Sequence, residues 1–277
     1  MTAADGSTPA SRSGPDGLDP GGPPLLRARD VEATGCARAA FTTRLGGVSR
    51  GRFAAFNLSY AVGDDARAVA DNRRRLARAW GCGPERLVEA AQVHGNRVAV
   101  ATPEAAGTVV PGADGLVTDE PGLWLIVYVA DCVPLLVVDP DHPAVGALHA
   151  GWRGTAAGAA SVLLEVMGCA YGTRPERVRA ALGPAIGGCC YEVDAPVAAA
   201  MSPSPWWPAA ARRTGPERWR LDLREAVRRQ LRAAGVPEAS IETIGACTMC
   251  RPDAFFSHRR DRTTGRMAGC IRVHPRG

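Results

Sequence analysis

The sequence predicts a soluble protein of strands and helices in which part of the sheet is covered on both faces. Three observations carry this. Apolar runs at Leu123–Val129, Val133–Val138 and Val145–Leu148 have strand length and are rich in Val, Ile and Leu, the pattern of strands without a wet face. Val69, Leu76 and Trp80 recur at helical spacing among arginines, as do the apolar residues of 221–234, so amphipathic helices are expected to pack on the sheet. The chain has 277 residues, 46% hydrophobic and 22% charged, an ordinary globular composition with enough length for one large domain or two intimately packed halves.

Taken in order, residues 1–24 are dominated by Gly, Pro, Ser, Asp and Ala and offer little that could pack, so a disordered extension is expected there and a folded domain over 25–277. A strand near Ala39–Thr43 leaves into a turn at Gly46-Gly47, where Arg44 is either an anion contact or an ordinary exposed turn residue. Asn57 precedes an acidic turn at Asp64-Asp65. A helix follows over Ala66–Trp80, closed by Gly81 and Gly83, with Arg73–Arg75 expected on its solvated face. His94 lies in Gln92-Val93-His94-Gly95, before a strand at Arg97–Ala101, and Asp114-Gly115 and Asp119 have the chemistry of turns.

Asp131 and Cys132 interrupt the central apolar runs. A carboxylate taken into an apolar sheet without a partner costs several kcal/mol, so a cation, a metal or a set of donors is expected beside it. After a turn at Asp139-Pro140, the third run ends in His149. Gly151-Trp152-Arg153-Gly154-Thr155 then opens a helical stretch with Thr155 as the expected N-cap. The amides at this entrance, with Arg153 and Gly154, could hold a phosphate or carboxylate; an ordinary strand-to-helix corner is the alternative.

Val178–Leu182 is a further strand, and the vicinal pair Cys189-Cys190 fits small buried apolar groups better than a redox pair. The proline-rich insertion 201–219 is expected as a surface loop. A second amphipathic helix spans Leu221–Ala234, with Asp222 in its first turn. Cys247-x-x-Cys250 lacks a second CxxC pair and is assigned to packing. The chain should close with a hairpin whose second strand is Met267–Val273.

Composition excludes several classes. The formal charge is +5, but every basic residue is arginine and the arginines are scattered, so a nucleic-acid stripe is not expected. Nine cysteines in a long chain without a secretory leader fit a reducing cytoplasm. Asp131 and Pro134 fall in the middle of the longest apolar stretch and argue against a membrane span.

His94, Cys132 and His149 are far apart in sequence, yet each stands at a strand end. If the three ends converge, one thiolate and two imidazoles suit Zn²⁺ and leave a fourth position open, as in catalytic zinc sites; separate structural roles are the alternative.

The combination QVHGNRV, ADGLVTD, ADCVPLLVVDP, ALHAGWRGTAAG, LGPAIGGCCYEV, CTMCRPDAFFSHRRD and TTGRMAGCI resembles the YfiH/LACC1 family of laccase-domain proteins, formerly called multicopper polyphenol oxidoreductases, from about Thr42 to Val273. The resemblance implies an α+β fold with mixed β-sheets covered by helices, a CNF1/YfiH-like single domain. It implies zinc on His94, Cys132 and His149. It further implies phosphorolysis of adenosine, inosine, guanosine or methylthioadenosine, with adenosine deaminase activity; some bacterial members are linked instead to editing of peptidoglycan precursors. His258 stands where tyrosine is expected in FFSYRRD.

On that reading a zinc-activated water would attack C6 of adenine in deamination, with Asp131 carrying the proton. Arg44, Arg153 and Gly154 would hold phosphate in phosphorolysis, with Asn57 a further substrate-binding residue. Competing expectations are a metal-free Cys-His hydrolase with Cys132 as nucleophile and His149 or His94 as base, a copper oxidase, for which five histidines are few, and a non-catalytic zinc module closed by Cys190, Cys250 or His258.

Overall fold

The computed structural model describes residues 22–274, so the expected extension lies outside the described residues except for its last three positions. Two six-stranded mixed sheets form the body of the molecule. The first contains β1 (Leu25–Arg27), β2 (Ala37–Thr42), β3 (Leu87–Ala91), β5 (Val109–Pro111), β7 (Trp124–Val129) and β15 (Met267–Val273), in the order β1-β2-β15-β7-β3-β5. The second contains β4 (Val98–Val100), β6 (Gly115–Thr118), β8 (Val133–Asp139), β9 (Ala144–Ala150), β10 (Arg179–Leu182) and β14 (Ile241–Thr243), in the order β14-β10-β8-β9-β6-β4. A small third sheet joins β11 (Glu192–Asp194), β13 (Arg218–Leu221) and β12 (Ala211–Gly215).

The sheets stack face to face, and the period of two along each strand decides what meets what. Leu136 and Val138 of β8 and Val145 and Ala147 of β9 share one buried cluster with Phe41, Leu125 and Val127 of the first sheet. Leu135, Val137 and Leu148 turn the other way. They pack with Leu163, Leu164 and Met167 of helix Ala159–Tyr171 and with Ala226, Val227 and Leu231 of helix Leu223–Ala233. The outer face of the first sheet, with Ala40, Trp124 and Ile126, is covered by Leu76 of helix Ala66–Ala79 and by Phe56, Leu58 and Trp80. Every residue of β8 and β9 is therefore buried, which accounts for their unbroken apolar runs. Leu136→Ala at the sheet interface is expected to lower stability by about 2–5 kcal/mol, seen as a fall in the urea midpoint.

Several local expectations need correction. Met267–Val273 is not the arm of a terminal hairpin: it lies between β2 and β7, antiparallel to both, and the segment before it forms a short helix, His258–Asp261. The insertion 201–219 is built from helix Trp207–Ala210, β12 and the start of β13; Arg213 pairs with Trp219 across the two strands. Thr155 is not an N-cap. It is buried inside helix Trp152–Ala156, which Gly151 precedes, and the longer helix is entered through Gly158 at φ +73°.

Candidate metal centre and active-site cavity

Strand register explains how distant residues meet. Gly115 pairs with Leu148 and Pro134 pairs with His149, so the residues at these ends of β6, β9 and β8 stand side by side. Asp114 precedes β6, His149 lies on β9, and Cys132 precedes β8. His149 also shares its side of β9 with Val145 and Ala147, the side turned toward the first sheet. Between β7 and β8 the chain crosses from one sheet to the other, and Asp131 makes the turn at φ +96°. His94 arrives from the first sheet after β3, itself at φ +61°.

One donor atom from each of His94, Cys132 and His149 lies within 4.8 Å of those of the other two, so the structure brings the three expected ligands together. Asp114, expected as a turn former, is instead fully buried and organises them. Its carboxylate accepts from the amides of Val93 (3.2 Å), His94 (3.0 Å) and Gly95 (2.7 Å), and contacts His149 Nδ1 at 2.8 Å. That contact fixes the imidazole with its other nitrogen available to a ligand, the arrangement in which a carboxylate orients a metal-binding histidine. The sequence carried no signal for this role, which follows from the pairing of β6 with the strand of His149.

Two further observations fit a metal. A Cβ built on Gly151 would stand 3.0 Å from His94 Nδ1 and 3.2 Å from Cys132 Sγ, so glycine keeps the space beside the donors free of side chain. Burial pushes the Cys132 thiol up, but the neighbouring His149 and His94 imidazoles outweigh it and bring the thiol down to about 6. For His149 burial works downward, while Cys132 and Asp114 raise it to about 9, so a metal would have to displace its second proton. Sulfur thus favours the thiolate, the form that ligates metal. Cys190 and Cys250, considered as closing ligands, belong to a different sulfur cluster.

The three donors sit in a cavity of about 1000 Å³. Its wall includes Tyr60, Arg73, Glu89, Tyr128, Asp131, Trp152, Arg153, Tyr191, His258, Arg259, Arg262 and Arg266. Arg73 corrects the expectation of a solvated face: it bonds Glu89 at 2.6 and 2.8 Å and Tyr128 at 2.7 Å, under the Tyr60 ring. Asp131 has the donors its burial demanded, Thr248 Oγ1 and the Arg259 amide, each at 2.6 Å. Arg153 is exposed, with its guanidinium carbon 4.3 Å from the Trp152 ring centre.

Arg44, Asn57 and Gly154 are not among the residues lining the cavity. Arg44 donates to the carbonyls of Ala54 (2.8 Å) and Pro252 (2.9 Å) and stacks on Phe256. Asn57 is fully buried and ties Ser59, Asp64 and Arg266 together. Gly154 has its Cα against the Gly95 carbonyl, where a side chain would collide. Arg259, Arg262 and Arg266 are cavity residues that the sequence did not single out; the run HRRDRTTGR was their only signal.

Residues 38–274 match the family model described as multi-copper polyphenol oxidoreductase laccase, and the chain belongs to that family. It is 46% identical over 246 residues to the protein named purine nucleoside phosphorylase YlmD of Geobacillus stearothermophilus, covering 85% of this chain and 89% of that one. It is 42% identical over 256 residues to the protein named purine nucleoside phosphorylase ORF3 of Streptomyces griseus, covering 89% and 98%. Among solved structures, Bacillus licheniformis hypothetical protein YfiH aligns with a TM-score of 0.86 at 36% identity, over 90% of this chain and 96% of that one. The expected α+β fold with mixed sheets under helices is the fold of these relatives.

Proposed function

We propose that this protein is a zinc-dependent purine nucleoside phosphorylase with adenosine deaminase activity, and that its site is the cavity around His94, Cys132 and His149. The observation that carries the reading is the convergence of two imidazoles and a thiol in a cavity with several arginines on its wall. The relatives named as purine nucleoside phosphorylases support it. Zinc held by these three residues would supply a Lewis acid with one position left for a non-protein ligand.

The chain's own residues account for the rest. In phosphorolysis a phosphate oxygen attacks C1′ of the ribose, the bond to the purine nitrogen breaks, and its electron pair leaves with the base. Arg153, Arg259 and Arg262 would hold the phosphate charge, and Trp152 and Tyr191 offer ring surfaces for the purine. In deamination Asp131 would carry the proton through the lone pairs left after its bonds to Thr248 and the Arg259 amide. Asn57 contributes in this proposal by holding the backbone of the cavity residues Ser59 and Arg266, and Arg44 and Gly154 have no direct part in it. No helix among the described residues is long and apolar enough to cross a membrane, and a cytoplasmic setting is part of the proposal.

A thiol hydrolase is the second reading, favoured by the Cys132–His149 pairing; its substrate would be an amide such as a peptidoglycan precursor. Metal analysis of the purified protein, combined with product identification from adenosine with and without phosphate, separates the readings. Zinc with phosphate-dependent release of adenine supports phosphorolysis, and inosine marks deamination. Copper in place of zinc, or full activity in metal-free protein, overturns the proposal. Arg153→Ala is expected to raise the KM for phosphate by about 10- to 100-fold, the loss of one charge-assisted contact, with zinc content unchanged; an unaltered phosphate dependence removes Arg153 from that role.

A further inference from the structure

A second sulfur-rich cluster lies outside the cavity and does not depend on the function proposed above. Cys189, Cys190, Cys247 and Cys250 place their four Sγ atoms within 4.8 Å of one another. Cys190 and Cys250 are 3.3 Å apart, and Cys189 and Cys250 are 3.7 Å apart. Four sulfurs ~2.3 Å from a tetrahedral zinc stand ~3.8 Å from each other, so the cluster is close to the size such an ion requires.

Packing does not account for this grouping. Cys247 is buried, but Cys189 and Cys250 are exposed and Cys190 is intermediate, so the sulfurs meet at the surface without a core to fill. The backbone is arranged to bring them together. Cys189 and Cys190 follow β10, and Cys247 and Cys250 follow β14; these two strands pair in parallel. An isolated bridge of Ala185 with Cys247 prolongs that pairing, and the Thr248 amide donates to the Ala185 carbonyl at 3.1 Å. The second pair that Cys247-x-x-Cys250 lacked in sequence is therefore the vicinal pair, delivered by the neighbouring strand.

Backbone donors favour the thiolate at Cys247, whereas burial and the neighbouring sulfurs raise the Cys189 and Cys190 thiols, whose protons a metal would displace. The Gly187 amide donates to Cys247 Sγ at 3.3 Å, and the Cys250 amide acts on the same sulfur. Arg260, itself paired with Asp261, bonds the carbonyls of Thr248 (2.9 Å) and Met249 (3.3 Å) and so holds the backbone between the CxxC cysteines. A single disulfide would engage only two of the four sulfurs.

We propose that Cys189, Cys190, Cys247 and Cys250 form a closed, structural zinc site with four thiolate ligands. Loading displaces the remaining thiol protons to solvent and leaves the ion no open position. The site joins two loops that border the cavity. Ile186 donates its amide to the Asp131 carbonyl at 2.9 Å, and Thr248 donates its hydroxyl to the Asp131 carboxylate. The ion thus holds the wall behind Asp131 in place while remaining outside the chemistry.

The test uses full-length Cys132→Ala protein, in which the cavity site has lost its sulfur, purified under reducing conditions without chelator. Elemental analysis and native mass spectrometry are expected to find one zinc per chain. Exchange into Co²⁺ is expected to give the intense charge-transfer absorption of four thiolates, and Cys189, Cys190, Cys247 and Cys250 should resist alkylation until a chelator is added. Adding Cys189→Ser and Cys250→Ser should remove that zinc. If those substitutions prevent folding, the measurements on Cys132→Ala still decide. Absence of zinc from Cys132→Ala with all four thiols freely alkylated, or a Cys190–Cys250 disulfide under these reducing conditions, overturns the proposal. Failure of the cavity proposal would show differently, as wild-type and Cys132→Ala proteins with equal zinc.

Discussion

Cys132→Ala is expected to abolish binding of the cavity metal and to reduce nucleoside turnover by more than the roughly 10- to 100-fold that loss of a supporting contact costs a metal site. The substitution removes the only sulfur among the three donors and the anion that balances the imidazoles. His149 would then lose one of the influences that raise it. Zinc content, kcat/KM with adenosine and phosphate, and circular dichroism should be measured together. Retained metal at the cavity with normal turnover would remove Cys132 from the site. His94→Ala should cost a three-ligand site most of its metal; activity that survives the loss of metal would instead favour a thiol mechanism in which His149 serves as base.

The second large effect is expected at Asp114. Asp114→Ala takes the partner from His149 Nδ1 and from three amides at once. Metal affinity should fall about 10- to 100-fold through the freed imidazole. The amides belong to residues that are exposed or half-buried, so water replaces part of what they lose and each adds about 0.5–1.5 kcal/mol of destabilisation. Competition with a chelator of known affinity measures the first effect, and urea unfolding of metal-stripped protein measures the second. Asp114→Asn retains an acceptor oxygen for the loop but not the charge, so it should recover more stability than affinity. Equal recovery of both would mean that Asp114 only holds the loop.

The buried strands were legible because both of their faces meet apolar neighbours, which leaves an unbroken run of Val and Leu. The ligands were legible because each is a polar residue placed where such a run breaks. Asp114 was hidden for the opposite reason: Asp-Gly has the same sequence appearance in an exposed turn and as a buried acceptor, and only pairing between β6 and β9 distinguishes them. The four-cysteine cluster escaped for a related reason, since its two halves follow strands that are distant in sequence and parallel in space. Arg44 and Asn57 looked like ligand-binding residues because the same hydrogen-bonding chemistry serves loop carbonyls equally well. The central position of β15 was similarly invisible, because a terminal strand carries no mark of its neighbours.

The crossing at Asp131-Cys132 has a mechanical consequence. His94 comes from one leaf of the sandwich, His149 from the other, and Cys132 from the segment that joins them, so an ion gripped by all three acts as a rivet through both leaves. Loading should therefore resist any sliding of one leaf over the other, and protease susceptibility far from the cavity should report how fully the rivet is set.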